Sequence, residues 1–219
     1  MRLLWQESET PPFIKRAFCP SMHVGESAGY TKTVPVHKEC NEKHSKEDEF
    51  FRNVVVSMQG VDRHPQALDL IYGKMTRSFQ NSPHLLRATF KNSRIEPIFT
   101  KAGLFLGHAP AFEIDLDRFS RIVTKIVKGL FFLKTCLPLP PHYTVISRFG
   151  NPEGMPTIKE ICDSLPNFEG FGDDVFLCRG SPNRDNQNYT FWQLVFYRSV
   201  SVVAITLPVK KAFVTTPTR

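Results

Sequence analysis

The apolar residues repeat with a helical period through the middle of the chain. A stripe of large apolar side chains predicts a helix over residues 47–60. Two further helices are predicted at residues 65–79 and 83–89, separated by an Asn-Ser-Pro breaker. The strongest pattern is that of residues 116–135, where Asp115 stands at the capping position.

Alternation of apolar and polar residues replaces this period toward the end of the chain. Short strands are predicted at residues 95–100, 103–107 and 111–114. A short helix is predicted at residues 158–164. Residues 143–149 alternate as a strand does, and an antiparallel meander is predicted from residues 174–179, 189–198 and 200–207. The pattern predicts an α+β fold with one long central helix and a C-terminal antiparallel sheet.

Histidine and cysteine residues cluster ahead of the first predicted helix. His37 and Cys40 are separated by two residues, the spacing at which one turn presents both side chains to a zinc ion. Cys19 and His23 lie upstream, so these four residues are candidate ligands of a tetrahedral structural zinc site. The alternative is a loop cysteine and a solvent-exposed histidine near an unrelated turn.

The residues after Cys40 carry the signals of a helix start. Ser45 is predicted to cap the helix, with Asp48 completing a capping box. Glu47 and Glu49 then lie near the positive end of the helix dipole. A second interpretation is that these carboxylates add metal affinity beside His44.

The string VPVHKECNEKHSKEDEFFRNVV resembles the VPxCxxCNxxxSKDDEYFR segment of bacterial and phage HNH-endonuclease-like proteins. The likeness continues through HPQALDLIYGKMTRS, through residues 103–141 and through WQLVFY, and so covers most of residues 33–208. It implies a small N-terminal ββα-metal finger, held by Zn²⁺, over residues 1–60. A longer family-specific α+β domain would then occupy residues 61–219.

This chain departs from the family pattern at its start. Family members carry an upstream CxxC pair and a Glu-His-x-Pro-Pro segment, whereas this chain has no upstream CxxC and reads Ser8-Glu9-Thr10-Pro11-Pro12 there. His37 also replaces the first cysteine of the second pair. These differences predict a degenerate or N-terminally truncated member that acts by binding nucleic acid.

Two other functions follow from the same resemblance. The first is an active endonuclease that hydrolyses DNA phosphodiesters with Mg²⁺ or Mn²⁺. Its candidate catalytic residues are His44, near the family's last metal-binding position, and, as a substitute base, Glu9, with His23 and His37 as alternatives. The second is a phage or mobile-element inhibitor that blocks a host nuclease or defence complex through protein contacts.

A stripe of four cations lies on the long helix, at steps of three, four and three: Arg118, Arg121, Lys125 and Lys128. Such a stripe extends for about 16 Å by helix rise and is a candidate contact for a DNA or RNA backbone. The alternative is an exposed face that keeps the protein soluble. The formal net charge of +7 and the pI near 9.2 favour an anionic partner.

Neither a membrane segment nor a secretory signal is predicted. No apolar run reaches the roughly 18 residues needed to cross a bilayer, and MRLLWQESE lacks the features of a signal peptide. Five scattered cysteines favour reduced thiols and a cytoplasmic location. Cys136, Cys162 and Cys178 are interpreted as core residues rather than nucleophiles. No phosphate-binding glycine loop, nucleophile elbow or dinucleotide fingerprint is present.

Overall fold

A computed structural model describes residues 13–17, 33–100, 102–150, 155–181 and 189–209, with the backbone alone described at residues 13–17, 33, 37–41, 43 and 44. Its contacts divide the chain into two compact units, residues 1–122 and 123–219. The predicted α+β class is confirmed. The boundary predicted after residue 60 lies inside the first unit and stays a prediction.

The first unit begins with two strands and a helix. Strands β1 (Phe13–Ala17) and β2 (Thr33–His37) pair antiparallel, with Phe13 opposite His37. Helix α1 (Lys38–Val56) follows β2 directly, which gives the ββα order that the resemblance implies.

The predicted start of α1 was wrong. The helix begins at Lys38, so Ser45 lies inside it rather than at its N-cap. The hydroxyl of Ser45 donates to the backbone oxygen of Glu42, at 3.0 Å. This bond is the local alternative to capping that serine adopts within a helix.

The apolar stripe of α1 forms the core of the first unit. Phe50, Phe51, Val54 and Val55 are completely buried. Burying a side chain of this size contributes about 1.5–3 kcal/mol. The ring of Phe51 also packs at 4.7 Å from the ring of Phe119.

A longer helical segment packs beside α1. It consists of α2 (Pro65–Leu70), a π turn (Ile71–Met75) and α3 (Thr76–Asn81), and α4 (Pro83–Thr89) follows it. The two predicted helices are confirmed, whereas the sequence did not indicate the π turn. Two side-chain contacts hold the segment beside α1: Ser78 bonds Glu49 of α1, and Ser57, the residue directly after α1, contacts Met75.

A two-stranded hairpin follows these helices. Strands β3 (Arg94–Phe99) and β4 (Phe105–Ala111) pair antiparallel, with Pro97 opposite His108. The prediction of two separate strands at residues 103–107 and 111–114 was wrong, because β4 runs unbroken from residue 105 to 111 and includes only residue 111 of the second range. Five large apolar side chains of the hairpin and its turn are at least half exposed: Ile95, Phe99, Leu104, Phe105 and Leu106.

Helix α5 (Leu116–Thr135) contains the point at which the first unit ends and the second begins. The carboxylate of Asp115 accepts the backbone N–H of Arg118 at 3.0 Å, which confirms Asp115 as its N-terminal cap. The predicted buried face is confirmed for six residues: Phe119, Ile122, Val123, Ile126, Val127 and Leu130.

The second unit is built on the predicted antiparallel sheet, whose strand order is β5-β9-β8-β7-β6. Its strands are β5 (Tyr143–Phe149), β6 (Glu169–Phe171), β7 (Phe176–Ser181), β8 (Thr190–Phe196) and β9 (Val200–Pro208). Helix α6 (Pro156–Asp163) buries Cys162 against Phe191 and Val203 of this sheet.

The centre of this sheet is organised around Trp192, which is completely buried. Its indole N–H donates to the hydroxyl of Thr190 at 2.8 Å, and that hydroxyl shares a 2.7 Å hydrogen bond with Thr206. Gly180 lies opposite Trp192 on β7, and a Cβ added there would lie 2.2 Å from the indole ring. The ring therefore requires glycine at this position.

Candidate nucleic-acid interface

The structure places the first half of the predicted cationic stripe against a carboxylate. Arg118 donates from Nε to Glu47 at 2.6 Å, and Arg121 lies 3.4 Å from the other carboxylate oxygen. The guanidinium of Arg118 also lies 4.0 Å from the centre of the Phe50 ring. These two arginines therefore hold α5 to α1 within the first unit.

The surroundings of Glu47 favour the charged form of its carboxyl. Burial alone would raise the pKa of this carboxyl, but hydrogen bonds and positive charge from Arg118 and Arg121 outweigh it and lower the pKa below 4.5. Glu47 lies in the tenth position of α1, so its predicted role at the helix dipole was wrong.

The second half of the stripe is placed differently. Lys128 is exposed, and Lys125 is half-buried with contacts of its own. Nucleic-acid contact by Arg118, Arg121, Lys125 and Lys128 stays a prediction. The pairing of the two arginines shows that part of this charge has a structural role.

A larger concentration of positive charge lies on the helical segment of the first unit. Residues 63–94 contain six cations and one carboxylate, Asp69, which gives +5 of the net charge of +7. Arg63, Arg77, Arg87 and Lys91 are all exposed. Among the described residues none of these four forms an ion pair, whereas Arg94 pairs with Glu96 on its own strand.

The positive charges of Arg52 and Arg77 both act on Lys74, and we call these three cations, with Glu49, the Lys74 cluster. Arg52 is 8% exposed and lies 3.6 Å from the carboxylate of Glu49. The same carboxylate accepts a hydrogen bond from Ser78 on α3. Arg77 donates to the backbone oxygen of Gly73, at 3.3 Å, so its side chain turns back toward the π turn that carries Lys74.

Lys74 is held in an unfavourable environment. Burial lowers the pKa of its ammonium below 10.5, and the positive charges of Arg52 and Arg77 lower it further. Within the described chain no carboxylate pairs with Lys74 and no acceptor bonds to it. Lys74 and Arg77 thus have no carboxylate partner among the described residues.

The predicted metal and catalytic residues lie mostly outside the described part of the structure. Glu9, Cys19 and His23 are outside the described residues. His37 ends β2, while Cys40 and His44 lie four residues apart on α1, and only their backbone is described. Among the side chains that are described, no group of three or more His, Cys, Asp or Glu residues is placed to hold a metal ion.

The cysteines described in full differ from one another. Cys162 and Cys178 are buried, as predicted, and burial raises the pKa of the Cys162 thiol. Cys136 is exposed, so its assignment to the core was wrong. It follows the end of α5 with φ of 59°, outside the helix.

Comparison with known proteins does not assign a family. No family model matches this chain, and neither a curated protein nor a solved structure matches it. Among the described helices, none is both long and apolar enough to cross a membrane.

Sequence reasoning missed the Lys74 cluster because its members come from two helices. Arg52 and Lys74 are 22 residues apart in the chain. The basic composition of residues 63–94 was visible by counting charges. The pairing of α1 with the π turn, which brings these charges together, had no sequence signal.

Proposed function

We propose that this protein binds nucleic acid without depending on catalysis, as a degenerate relative of the HNH-like proteins that it resembles. The concentration of exposed, unpaired cations on residues 63–94 carries the proposal. Phosphate backbones attract such surfaces because binding releases condensed counterions. The ββα order of β1, β2 and α1 supports the resemblance at the level of topology.

The proposal is tested by titrating fluorescent single- and double-stranded oligonucleotides with the full chain at several salt concentrations. We expect binding that weakens steeply with salt. Arg87→Gln and Lys91→Gln should each lower the slope of log K against log salt by about 1. Arg148→Gln on β5 removes an equal charge from an exposed position of the second unit and is the matched control. Equal slopes for all variants would contradict the proposal.

Catalysis is tested separately with a plasmid-nicking assay in Mg²⁺ or Mn²⁺. We expect salt-sensitive binding without nicking. Nicking that is lost on His44→Ala would instead support the active endonuclease. Stoichiometric zinc in the purified protein, lost on Cys40→Ser, would support the predicted metal finger.

A second candidate function is favoured by the exposed face of the hairpin. Alternation along β3 and β4 puts six exposed residues on one side: Ile95, Pro97, Phe99, Phe105, His108 and Pro110. The Phe99 and Phe105 rings lie 5.7 Å apart, edge to face. Exposed apolar faces of this kind mark protein interfaces, which supports an inhibitor of a host nuclease complex.

This second function predicts a phenotype that is independent of the basic segment. Phe105→Ser should abolish inhibition of a susceptible host nuclease while leaving oligonucleotide affinity unchanged. Arg87→Gln should show the reverse pattern. Failure of the wild-type protein to inhibit any nuclease of a host panel would count against this candidate.

A further inference from the structure

The most exposed large apolar side chain among the described residues lies inside the basic segment of residues 63–94. Tyr72 is 78% exposed. Its hydroxyl forms no hydrogen bond with the described residues, and its ring contacts no other described ring or cation. Single exposed apolar side chains are ordinary on protein surfaces, so exposure by itself assigns no role. The surroundings of Tyr72 decide what this ring can bind.

Tyr72 shares the exposed face of the helical segment with polar and charged side chains. Between residues 69 and 80 the exposed positions recur at helical spacing: Asp69, Tyr72, Thr76, Arg77 and Gln80. Tyr72 lies within the π turn, and Arg77 follows it by five residues, the separation that one π turn closes. The tyrosine and the arginine therefore lie on one side of the segment, about a turn apart.

The space next to Tyr72 is open. Gly73 follows the tyrosine, and no described atom lies within 4 Å of the point that a Cβ of Gly73 would occupy, apart from its two chain neighbours and the backbone of its own helix. Nε of Arg77 donates to the backbone oxygen of Gly73 at 3.3 Å. The other N–H groups of Arg77 bond no described acceptor. The turn thus presents a bare aromatic ring, an uncovered glycine and an arginine with donors to spare.

The charges on this face favour one direction for a bound phosphate backbone. Asp69 lies three residues before Tyr72 and repels phosphate, whereas Arg77 lies after the tyrosine and attracts it. Neither side chain forms an ion pair among the described residues. Helix α4 contacts α3, and the exposed cations Arg87 and Lys91 lie on α4 and just beyond it. The positive charge near Tyr72 is therefore concentrated on the Arg77 side of the ring.

We propose that Tyr72 stacks on an unpaired base, which makes the basic segment a surface for single-stranded nucleic acid. Every base has a face that can stack on an aromatic ring, whereas neighbouring base pairs cover these faces within a duplex. Arg77 contacts the phosphate of the stacked nucleotide. The cations of residues 63–94 attract any phosphate backbone, so the preference for single strands comes from the ring. This inference rests on the proposed function and names the class of nucleic acid.

The test measures the affinity of the full chain for a fluorescent single strand and for a duplex of the same length, by fluorescence anisotropy. Tyr72→Leu keeps an apolar side chain and changes no charge. It should lower the ratio of single-strand to duplex affinity about tenfold, with duplex affinity and salt slope unchanged. Tyr72→Trp should keep the wild-type ratio, because indole also stacks on bases. Tyr189→Leu removes a tyrosine that is 56% exposed in the second unit, and as the matched control it should behave as wild type.

The stacking and the proposed function fail in different ways. Salt-sensitive binding whose affinity ratio is unchanged by Tyr72→Leu overturns the stacking and leaves the proposed function intact. The absence of salt-sensitive binding to either oligonucleotide overturns the proposed function and the stacking with it. If Tyr72→Leu abolishes inhibition of a host nuclease and leaves the affinity ratio unchanged, the ring contacts a protein partner and the stacking is overturned.

Discussion

Helix α1 places carboxylates beside two groups of cations, and the two groups differ in how their charge is balanced. Glu47 bonds both Arg118 and Arg121. Two residues further along α1, Glu49 bonds Arg52 and Ser78, while Lys74 stays without an anionic partner among the described residues. The first group joins α1 to α5, and the second keeps positive charge available. A basic residue is therefore a poor indicator of ligand binding until its partners are known.

The largest expected effect comes from removing the carboxylate of Glu47, which Arg118 and Arg121 share. Glu47→Gln leaves two guanidiniums without their shared anion, and the side chains of Glu47 and Arg118 are each only 22% exposed. We expect the free energy of unfolding to fall by about 2 kcal/mol, measured by urea denaturation. Because the Glu47 pKa is lowered, this difference from wild type should be complete above pH 4.5 and should shrink as the pH falls below that value.

The two arginines of this group should contribute unequally. Arg118 is mostly buried and packs on the Phe50 ring, whereas the side chain of Arg121 is 49% exposed. Arg118→Gln should cost about 1–2 kcal/mol and Arg121→Gln less than about 0.5 kcal/mol. If urea denaturation showed that both variants lose the same free energy of unfolding, the burial of Arg118 and its packing on Phe50 would contribute nothing to stability.

Removing the charge of Lys74 should change the free energy of unfolding in the opposite direction. Lys74→Gln removes a charge that repels Arg77, three residues along the same helical segment, and also Arg52. We expect the free energy of unfolding in chloride to rise by about 0.5 kcal/mol. Lys46→Gln removes an exposed charge from α1 and is the control, which should leave stability unchanged. A loss of stability in Lys74→Gln would show that the ammonium is compensated within the protein.

The smallest effect is a dependence on alkaline pH. Because the folded-state pKa of Lys74 lies below 10.5, the unfolded chain binds more protons in the window between the two values. The stability of wild type relative to Lys74→Gln should therefore rise as the pH increases through this window and level off above 10.5. Difference denaturation curves at alkaline pH provide the measurement, and a falling difference would contradict the assigned direction.

The parts of the fold that sequence predicted are those with a long apolar period. Helix α5 and the strands β5, β8 and β9 were found because many residues repeat one pattern. The start of α1 was missed because residues 38–46 are polar and carry no apolar stripe. Lysine and glutamate are nevertheless good helix formers, so the helix extends through them as far as β2.

The candidate site was predictable only in outline. Counting charges identifies residues 63–94 as basic, but it does not distinguish Arg118, which is paired, from Lys74, which is not. That distinction depends on which helix faces meet, and on a π turn that changes the phase of the residues following it. Contacts between residues distant in the chain decide which faces meet and where the π turn forms. The periodicity of a single helix does not encode such contacts.

The burial of Trp192 gives the second unit an internal optical reporter. The chain has two tryptophans, and Trp5 is the other. A Trp5→Phe chain would therefore fluoresce from the centre of the five-stranded sheet alone. Its emission would move to longer wavelength only when this sheet opens to water, so it would follow the unfolding of one unit in a chain that has two.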